Sequence, residues 1–259
     1  MRKFLAIPAL CLAVCLPAGS ATVVTLTTAG TSNWVCPAHV FQVKVELWGG
    51  GGMGSSPATS NDATGHGGGG GGAYSASYVT VIPGNTYTIV VGAGGTNGSV
   101  NGNDSTFNST LVVAKGGTGL GNDVTTGGAG GLASNGTGST KYSGGSGAGY
   151  SGSCEPFGSG GGSSAGWSSN GTAGTNGCSS TTFTGYGGNA PAGGGNGGNG
   201  ASVAPNQSGS PGLQPGGGGG GGMAFAAPPM FTWPVYGGLG AAGKCVLTYT
   251  PMSAVLLSE

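Results

Sequence analysis

The sequence contains four long glycine runs: GGGGMG at 49–54, GHGGGGGG at 65–72, GGGNGGNG at 193–200 and GGGGGGG at 216–222. These runs offer no side chain to a hydrophobic core, and glycine loses more backbone entropy on folding than any other residue. The runs are therefore either disordered or held by backbone hydrogen bonds. Which of these two states applies decides the fold of the whole chain.

The overall composition favours an ordered chain. Of 259 residues, 65 are glycine and 14 are proline, and such a share is typical of low-complexity disorder. Only 5% of the residues are charged, however, whereas disordered chains are usually rich in charge. The apolar residues lie mostly in strand-like segments near the two ends. A collagen triple helix is excluded because the strict G-X-Y period is broken.

The strand-like segments alternate apolar with polar residues or are rich in β-branched residues. Pro83 and Gly84 suit the two central positions of a type II turn, so the segments on either side of them are predicted to form a β-hairpin. The aromatic residues of the strand regions are predicted to be core, namely Trp34, Trp48, Tyr78, Tyr87, Phe107 and Tyr249. The predicted strands are 22–28, 39–48, 77–82, 86–91, 109–115 and 244–250.

The glycine runs can adopt the polyproline II conformation, with three residues per turn and about 3.1 Å per residue. Several such rods lying side by side can satisfy each other's N–H and C=O groups, and Cα–H···O contacts add weakly. The predicted fold is mainly β, with no α-helix after the N-terminal segment. It comprises a small antiparallel β-rich domain, closed by the C-terminal strand, and a polyglycine II bundle with loops.

The predicted domain boundaries follow from this fold and from the N-terminus. Arg2 and Lys3 precede an apolar stretch, and small residues end at Ala21, so 1–21 is predicted to be a secretory signal peptide. The remaining parts are a β-rich domain with glycine-run insertions, the bundle, the returning strand and a tail, at 22–115, 116–243, 244–250 and 251–259. The protein is expected to be secreted or on a cell surface, without membrane insertion after cleavage.

Charge and cysteine content exclude several function classes. After residue 21 the chain has no arginine, which argues against nucleic-acid binding. The four cysteines that remain allow three disulfide pairings; we favour Cys154–Cys178, which would close a glycine-rich loop, and Cys36–Cys245, which would tie the two strand regions together. A zinc site is disfavoured because there is no CxxC motif. We predict no metal and no cofactor.

The candidate binding residues are aromatics in the inserts between glycine runs. An exposed aromatic beside polar neighbours is a natural anchor for a protein or glycan surface, although the same residues could instead pack as small cores over the bundle. The insert 223–236 stands out because its prolines would stiffen a displayed loop. The predicted ligand-binding residues are Trp167, Phe225, Phe231, Trp233 and Tyr236.

Catalytic signals are poor. GSSAG at 162–166 fits G-x-S-x-G formally, but no strand, helix or histidine–acid pair accompanies it, as that nucleophile motif requires. We therefore expect a protein that is not an enzyme.

Several blocks of the sequence resemble the glycine-rich domain proteins, which occur among bacterial exported proteins and in phage tails and tail fibres. The resemblance rests on the order of these blocks: WVCPAHV at 34–40, VKVELWGGGGMG at 43–54, GGGGGGAYSASYVTVIPGNTYTIVVGAGG at 67–95 and GLGAAGKCVLTYT at 238–250. The chain also resembles the tip adhesins of some tailed phages. That resemblance implies a polyglycine II bundle whose loops bind a host receptor.

The leading hypothesis is an exported, adhesin-like recognition protein whose partner is a cell-surface protein or glycan. One alternative is a matrix or filament component that self-associates through sheet edges. Another is a phage tail receptor-binding protein on a virion surface, although the signal peptide favours a bacterial exported protein. Ice binding is less favoured, because the strict three-residue period that would align a flat face is absent from the sequence.

Overall fold

A computed structural model describes residues 19–58, 64–152, 157–177, 184–202, 207–224 and 235–252, and the backbone alone of 226–227 and 231–232. Over these residues the protein is mainly β, as predicted, with two antiparallel sheets. The only helical element there is a single 3-10 turn at Ala133–Asn135. No helix in the described part is long and apolar enough to cross a membrane.

The two sheets and a separate hairpin account for all the strands in the described residues. The larger sheet has the order β1-β11-β3-β4-β8, the smaller has the order β2-β5-β6-β7, and β9 pairs with β10. The C-terminal strand β11 lies between β1 and β3, so the C-terminal end of the chain joins the β-rich part as predicted, within an open sheet. The strands are β1 (Thr22–Leu26), β2 (Gly30–Val35), β3 (Gln42–Trp48), β4 (Tyr74–Thr80), β5 (Thr86–Val91), β6 (Ser105–Phe107), β7 (Val112–Ala114), β8 (Thr140–Tyr142), β9 (Ala226–Ala227), β10 (Phe231–Thr232) and β11 (Lys244–Tyr249).

One apolar core lies between the two sheets. Alternate residues of β3 point into it, as the sequence pattern predicted, and meet Ile89 and Phe107 of the smaller sheet. Trp34 packs against Tyr87 and Tyr249, with ring centroids 5.9 and 5.5 Å away. The prediction for Tyr78 is wrong: its side chain is 66% exposed, because it stands on the outer face of β4.

The predicted hairpin of 77–82 with 86–91 is also wrong. β4 pairs with β3 and β8, whereas β5 pairs with β2 and β6. The turn itself forms, with Gly84 at φ +81° and a 3.1 Å bond from the Asn85 N–H to the Ile82 carbonyl. The Cys36 N–H donates a hydrogen bond to the Asn85 carbonyl, and the Cys36 carbonyl accepts one from the Gly84 N–H, both at 2.8 Å. These bonds extend the pairing of β2 with β5, so the turn carries the chain from one sheet to the other.

The rest of the described chain is built from extended glycine-rich segments, which we call rods. They are joined to one another by backbone hydrogen bonds, and consecutive rods run in opposite directions, away from the sheets and back. The rods are 49–57, 65–73, 92–95, 100–104, 115–121, 124–132, 143–150, 157–166, 171–177, 184–190, 194–201, 207–213, 216–224 and 235–243.

The hydrogen bonds between rods follow a three-residue repeat. In the rod 49–57, successive N–H groups point to three different neighbouring rods, and every third residue returns to the same neighbour. Three residues per turn is the repeat of the polyproline II conformation. The donors are Gly49, Gly52 and Ser55 to the rod 65–73, Gly50 and Met53 to the rod 100–104, and Gly51 and Gly54 to the rod 235–243.

Four rods lie in the interior of the bundle: 49–57, 65–73, 157–166 and 216–224. Each of them bonds to six neighbouring rods, and the other described rods form a closed ring around the four. The interior rods are buried along their whole length. A Cβ placed on Gly51 or Gly69 would lie 2.1 or 2.3 Å from a carbonyl oxygen of the adjacent rod. Close backbone approach therefore explains the long glycine runs.

Most side chains of the outer rods are exposed at the bundle surface, whereas Leu120 and Val235 are buried. Along the rod 184–190, Tyr186 and Asn189 are exposed while Gly185 and Gly188 are buried, and the rods 194–201 and 235–243 follow similar spacing. These three rods therefore show a three-residue period of exposed positions. The inserts between the glycine runs also contribute rods of their own, such as 171–177 and 207–213, in addition to connections.

Cys36 and Cys245 are free thiols, so the predicted disulfide between them is absent. The Cys36 Sγ donates a 3.3 Å hydrogen bond to the Val40 carbonyl, which directs it into its own loop. Cys245 lies in β11 between Leu26 and Leu47, and burial raises its thiol pKa to about 12. Both residues act as small apolar members of the core. Cys154 and Cys178 lie outside the described residues, and their pairing stays a prediction.

Alkylation tests this assignment of the four cysteines. With iodoacetamide at pH 8, the native protein should leave Cys36 and Cys245 unlabelled, because buried, protonated thiols react poorly. In denaturant without reductant, both should become fully labelled, while Cys154 and Cys178 should stay unlabelled until a reductant is added. Peptide mapping by mass spectrometry reads out each site. A cross-linked peptide containing Cys36 and Cys245 would contradict the structure.

Candidate functional site

Trp167, one of the predicted ligand-binding residues, lies at the end of the bundle next to the sheets. It follows the rod 157–166, whose Ala165 carbonyl accepts a 3.0 Å hydrogen bond from the indole of Trp48 at the end of β3. The Trp167 side chain is 54% exposed. Its ring covers Gly193, where an added Cβ would lie 2.4 Å from the indole.

Tyr236 lies at the opposite end of the bundle, where the rod 235–243 begins. Its carbonyl accepts a 2.9 Å bond from the Gly209 N–H, and the next residue bonds to Ser56 Oγ at 3.0 Å. The Tyr236 side chain is 54% exposed. Trp167 and Tyr236 are thus separated by the length of the rods and do not form one site.

The structure describes little of the other three predicted binding residues. Phe225 and Trp233 lie outside the described residues. Phe231 is described in its backbone alone, where it begins β10 and pairs with Ala227.

Tyr236 lines a cleft of about 260 Å³ at the end of the bundle away from the sheets. We call this the distal cleft. The buried side chains of Met53 and Leu120 line it together with the less buried Val100, and the exposed amide side chains of Asn97 and Asn122 line it too. The lining therefore mixes polar groups with apolar side chains, which suits a ligand group that has both apolar and hydroxyl-bearing parts.

Hydrogen bonds between side chain and backbone hold the wall of the distal cleft in place. Ser55 Oγ donates to the Gly121 carbonyl at 2.8 Å and accepts from the Val124 N–H at 3.0 Å. Asp123 Oδ1 accepts from the Ala58 N–H at 2.8 Å. These bonds tie the end of the rod 49–57 to the turn that follows the rod 115–121. The cleft is therefore largely pre-formed.

Sequence reasoning missed every residue of the distal cleft except Tyr236. The signal that could have found Asn97 and Asn122 is their dipeptide context, because Asn97-Gly98 and Asn122-Asp123 are typical of tight turns. Turns mark the ends of rods, where side chains are not enclosed by neighbouring rods. Met53 carried a different signal, as it is the one large side chain within its glycine run.

Ser164, the central residue of GSSAG, has a structural role. It is fully buried in the interior rod 157–166, where its Oγ accepts a 2.9 Å bond from the Gly195 N–H. Its hydroxyl also donates to the Ala165 carbonyl at 3.3 Å. The serine therefore links two rods from a position without solvent access.

A comparison with known protein families finds a match. The family described as Glycine-rich domain matches residues 27–250, a span that runs from the end of β1 through the whole bundle to the end of β11. The chain therefore belongs to the glycine-rich domain family. No curated protein matches it.

Proposed function

We propose that this is an exported, non-enzymatic recognition protein that binds a cell-surface protein or glycan through the end of its bundle away from the sheets. The observation that carries the proposal is the distal cleft, in which an exposed tyrosine stands beside buried apolar side chains. A half-exposed tyrosine in such a setting supplies rigid contact area and a hydroxyl for hydrogen bonding. The basis for export is the signal peptide predicted for residues 1–21.

The rods provide a rigid support for the end of the bundle that carries the distal cleft. We assign them to the polyglycine II conformation on the strength of their three-residue hydrogen-bond repeat. Seven residues in this conformation span about 22 Å, which would hold the distal cleft well clear of the two sheets. The sandwich of sheets then serves as the base of the bundle.

The insert that links the rods 216–224 and 235–243 belongs to the same proposal. Both rods reach the distal end, because Gly222 and Gly237 bond there to Ser55 and Ser56. Phe225, Phe231 and Trp233 lie in the connection between these two rods, and they remain candidate anchors beside Tyr236. The pairing of Cys154 with Cys178 is likewise proposed, since the rods that flank these cysteines are neighbours.

Substitution of Tyr236 by alanine tests the distal cleft. The fluorescently labelled full-length protein is incubated with a panel of bacterial cell envelopes, and binding is read by flow cytometry. We expect Tyr236→Ala to weaken binding at least tenfold, as hot-spot tyrosines do when truncated. The double substitution Phe231→Ala/Trp233→Ala should have a similar effect.

Tyr78 provides the matched control for this experiment. It is also an exposed tyrosine, but it lies on β4 at the other end of the molecule. Tyr78→Ala should bind as the unmodified protein does, and circular dichroism should be the same for all variants. Equal loss of binding in Tyr78→Ala and Tyr236→Ala, or no loss in either, would refute recognition through the distal end.

A further inference from the structure

Three outer rods that are neighbours in the ring, 184–190, 194–201 and 207–213, form a second concave surface along the side of the bundle. The Gly197 N–H bonds to the Gly188 carbonyl at 2.9 Å, and the Ser210 N–H bonds to the Asn199 carbonyl at 2.7 Å. The groove over these rods has a volume of about 470 Å³. We call it the asparagine face; the side chains that line it include Tyr186, Asn189, Asn196, Asn199, Ser210 and Leu213.

Two amides of this face are held in a fixed orientation. Asn196 Oδ1 accepts a 2.7 Å bond from the Ala190 N–H, and Asn199 Oδ1 accepts a 2.9 Å bond from the Gly187 N–H. Because the oxygen of each amide is engaged with the adjacent rod, the nitrogen with its two N–H donors is left on the exposed side. The two asparagines are three residues apart, a spacing of about 9 Å along a rod of this type.

The face carries no charge. The segment 156–243, which contains all three rods, has no Asp, Glu, Lys, Arg or His residue. A charged ligand would therefore find no opposite charge within this segment. Tyr186, which is 51% exposed, and the exposed Leu213 offer apolar surface between the amides. Such surface suits the C–H face of a sugar ring, and the amide donors suit its hydroxyl oxygens.

We propose that the asparagine face binds a neutral, hydroxyl-rich polysaccharide. The regular spacing of Asn196 and Asn199 along the rod fits a chain with a repeating unit better than it fits a single small molecule. This site is distinct from the distal cleft, with which it shares no lining residue. It would hold the side of the bundle against a glycan layer, whichever ligand the distal cleft binds.

Affinity gel electrophoresis of the full-length protein tests this proposal. The native gels contain dextran, galactomannan, xylan or hydroxyethyl cellulose as the probe. Retardation in at least one gel is expected, and it should persist from 50 to 500 mM salt because no charges take part. Tyr186→Ala and Asn196→Asp/Asn199→Asp should each weaken it at least tenfold. Aspartate keeps the oxygen that bonds to the neighbouring rod but lacks the N–H donors.

Asn101→Asp is the matched control, because the exposed Asn101 also accepts a backbone N–H bond, from Gly119 at 2.9 Å, on another side of the bundle. It should leave retardation unchanged, as should Tyr236→Ala in the distal cleft. Thermal melts establish that the variants are folded. Absence of retardation in all four gels, or its persistence in both variants of the face, would overturn the proposal. If only Tyr236→Ala lost its retardation, the polysaccharide would bind in the distal cleft instead.

Discussion

Substitution of Gly219 by alanine is expected to destabilise the protein by about 3 kcal/mol or more. Gly219 lies in the interior rod 216–224, where its N–H bonds to the Gly52 carbonyl at 2.9 Å and its carbonyl accepts from the Gly69 N–H at 2.8 Å. A Cβ there would lie 1.9 Å from the Gly238 oxygen. The three nearest atoms are all backbone atoms of Gly238 and Leu239, so no side chain can rotate away to relieve the clash.

The measurement is a thermal melt followed by circular dichroism or calorimetry. For a chain of this size, about 3 kcal/mol corresponds to a fall in Tm of about 6–12 °C. Gly98→Ala is the matched control, because a Cβ added to Gly98 would meet no atom within 4 Å and its φ is not positive. It should leave Tm within about 2 °C of the original value. Equal Tm values for Gly219→Ala and Gly98→Ala would contradict the packed bundle.

Local sequence patterns were sufficient to predict most of the strands. In β3 the alternation of Val43, Val45 and Leu47 with polar residues predicts one buried face, and the structure buries that face. The turn at Pro83-Gly84 was also predictable from residue type alone. The partner of each strand was not, because the turn is compatible with either a hairpin or a crossing between sheets. Backbone bonds to Cys36, distant in sequence, decide between the two.

In the bundle, the sequence predicts the conformation of each segment but not which segments are neighbours. The glycine runs predict rods, since nothing else satisfies a backbone without side chains. They do not encode which rods are neighbours, because every glycine presents the same N–H, C=O and Cα–H groups. The contact of Gly52 with Gly219 therefore leaves no trace in the sequence pattern.

The two candidate sites were hidden for the same reason. The distal cleft gathers Met53, Leu120 and Tyr236 from three distant parts of the chain, and only the rod lattice brings them together. On the asparagine face, the period of exposed residues emerges once the inward positions are known. In the sequence it appears only in short pieces, such as Asn196-Gly-Gly-Asn199, because the turns between rods interrupt the repeat. The pattern of aromatic inserts therefore indicates Tyr236 but gives no sign of Asn196 or Asn199.

Trp48 connects the sheets to the bundle, and its replacement by alanine is the second large effect that we expect. It is the last residue of β3 and precedes the first glycine run. Its buried ring packs edge-on against Tyr74, with centroids 4.9 Å apart, and its indole N–H donates to the Ala165 carbonyl of an interior rod at 3.0 Å. Trp48→Ala should therefore cost about 3–5 kcal/mol, the usual range for a buried tryptophan.

Two further variants separate the contributions of the Trp48 ring and its N–H group. Trp48→Phe keeps most of the packing but removes the donor to Ala165, so an intermediate loss of about 1–3 kcal/mol is expected. Trp167→Ala is the matched control, since Trp167 follows the same rod but is half exposed; it should cost less than about 1 kcal/mol. Denaturant titration followed by circular dichroism gives all three values. Similar losses of unfolding free energy for Trp48→Ala and Trp167→Ala would contradict this prediction. They would mean that Trp48 does not couple the sheets to the bundle, and that the bundle is stable without this contact to the sheets.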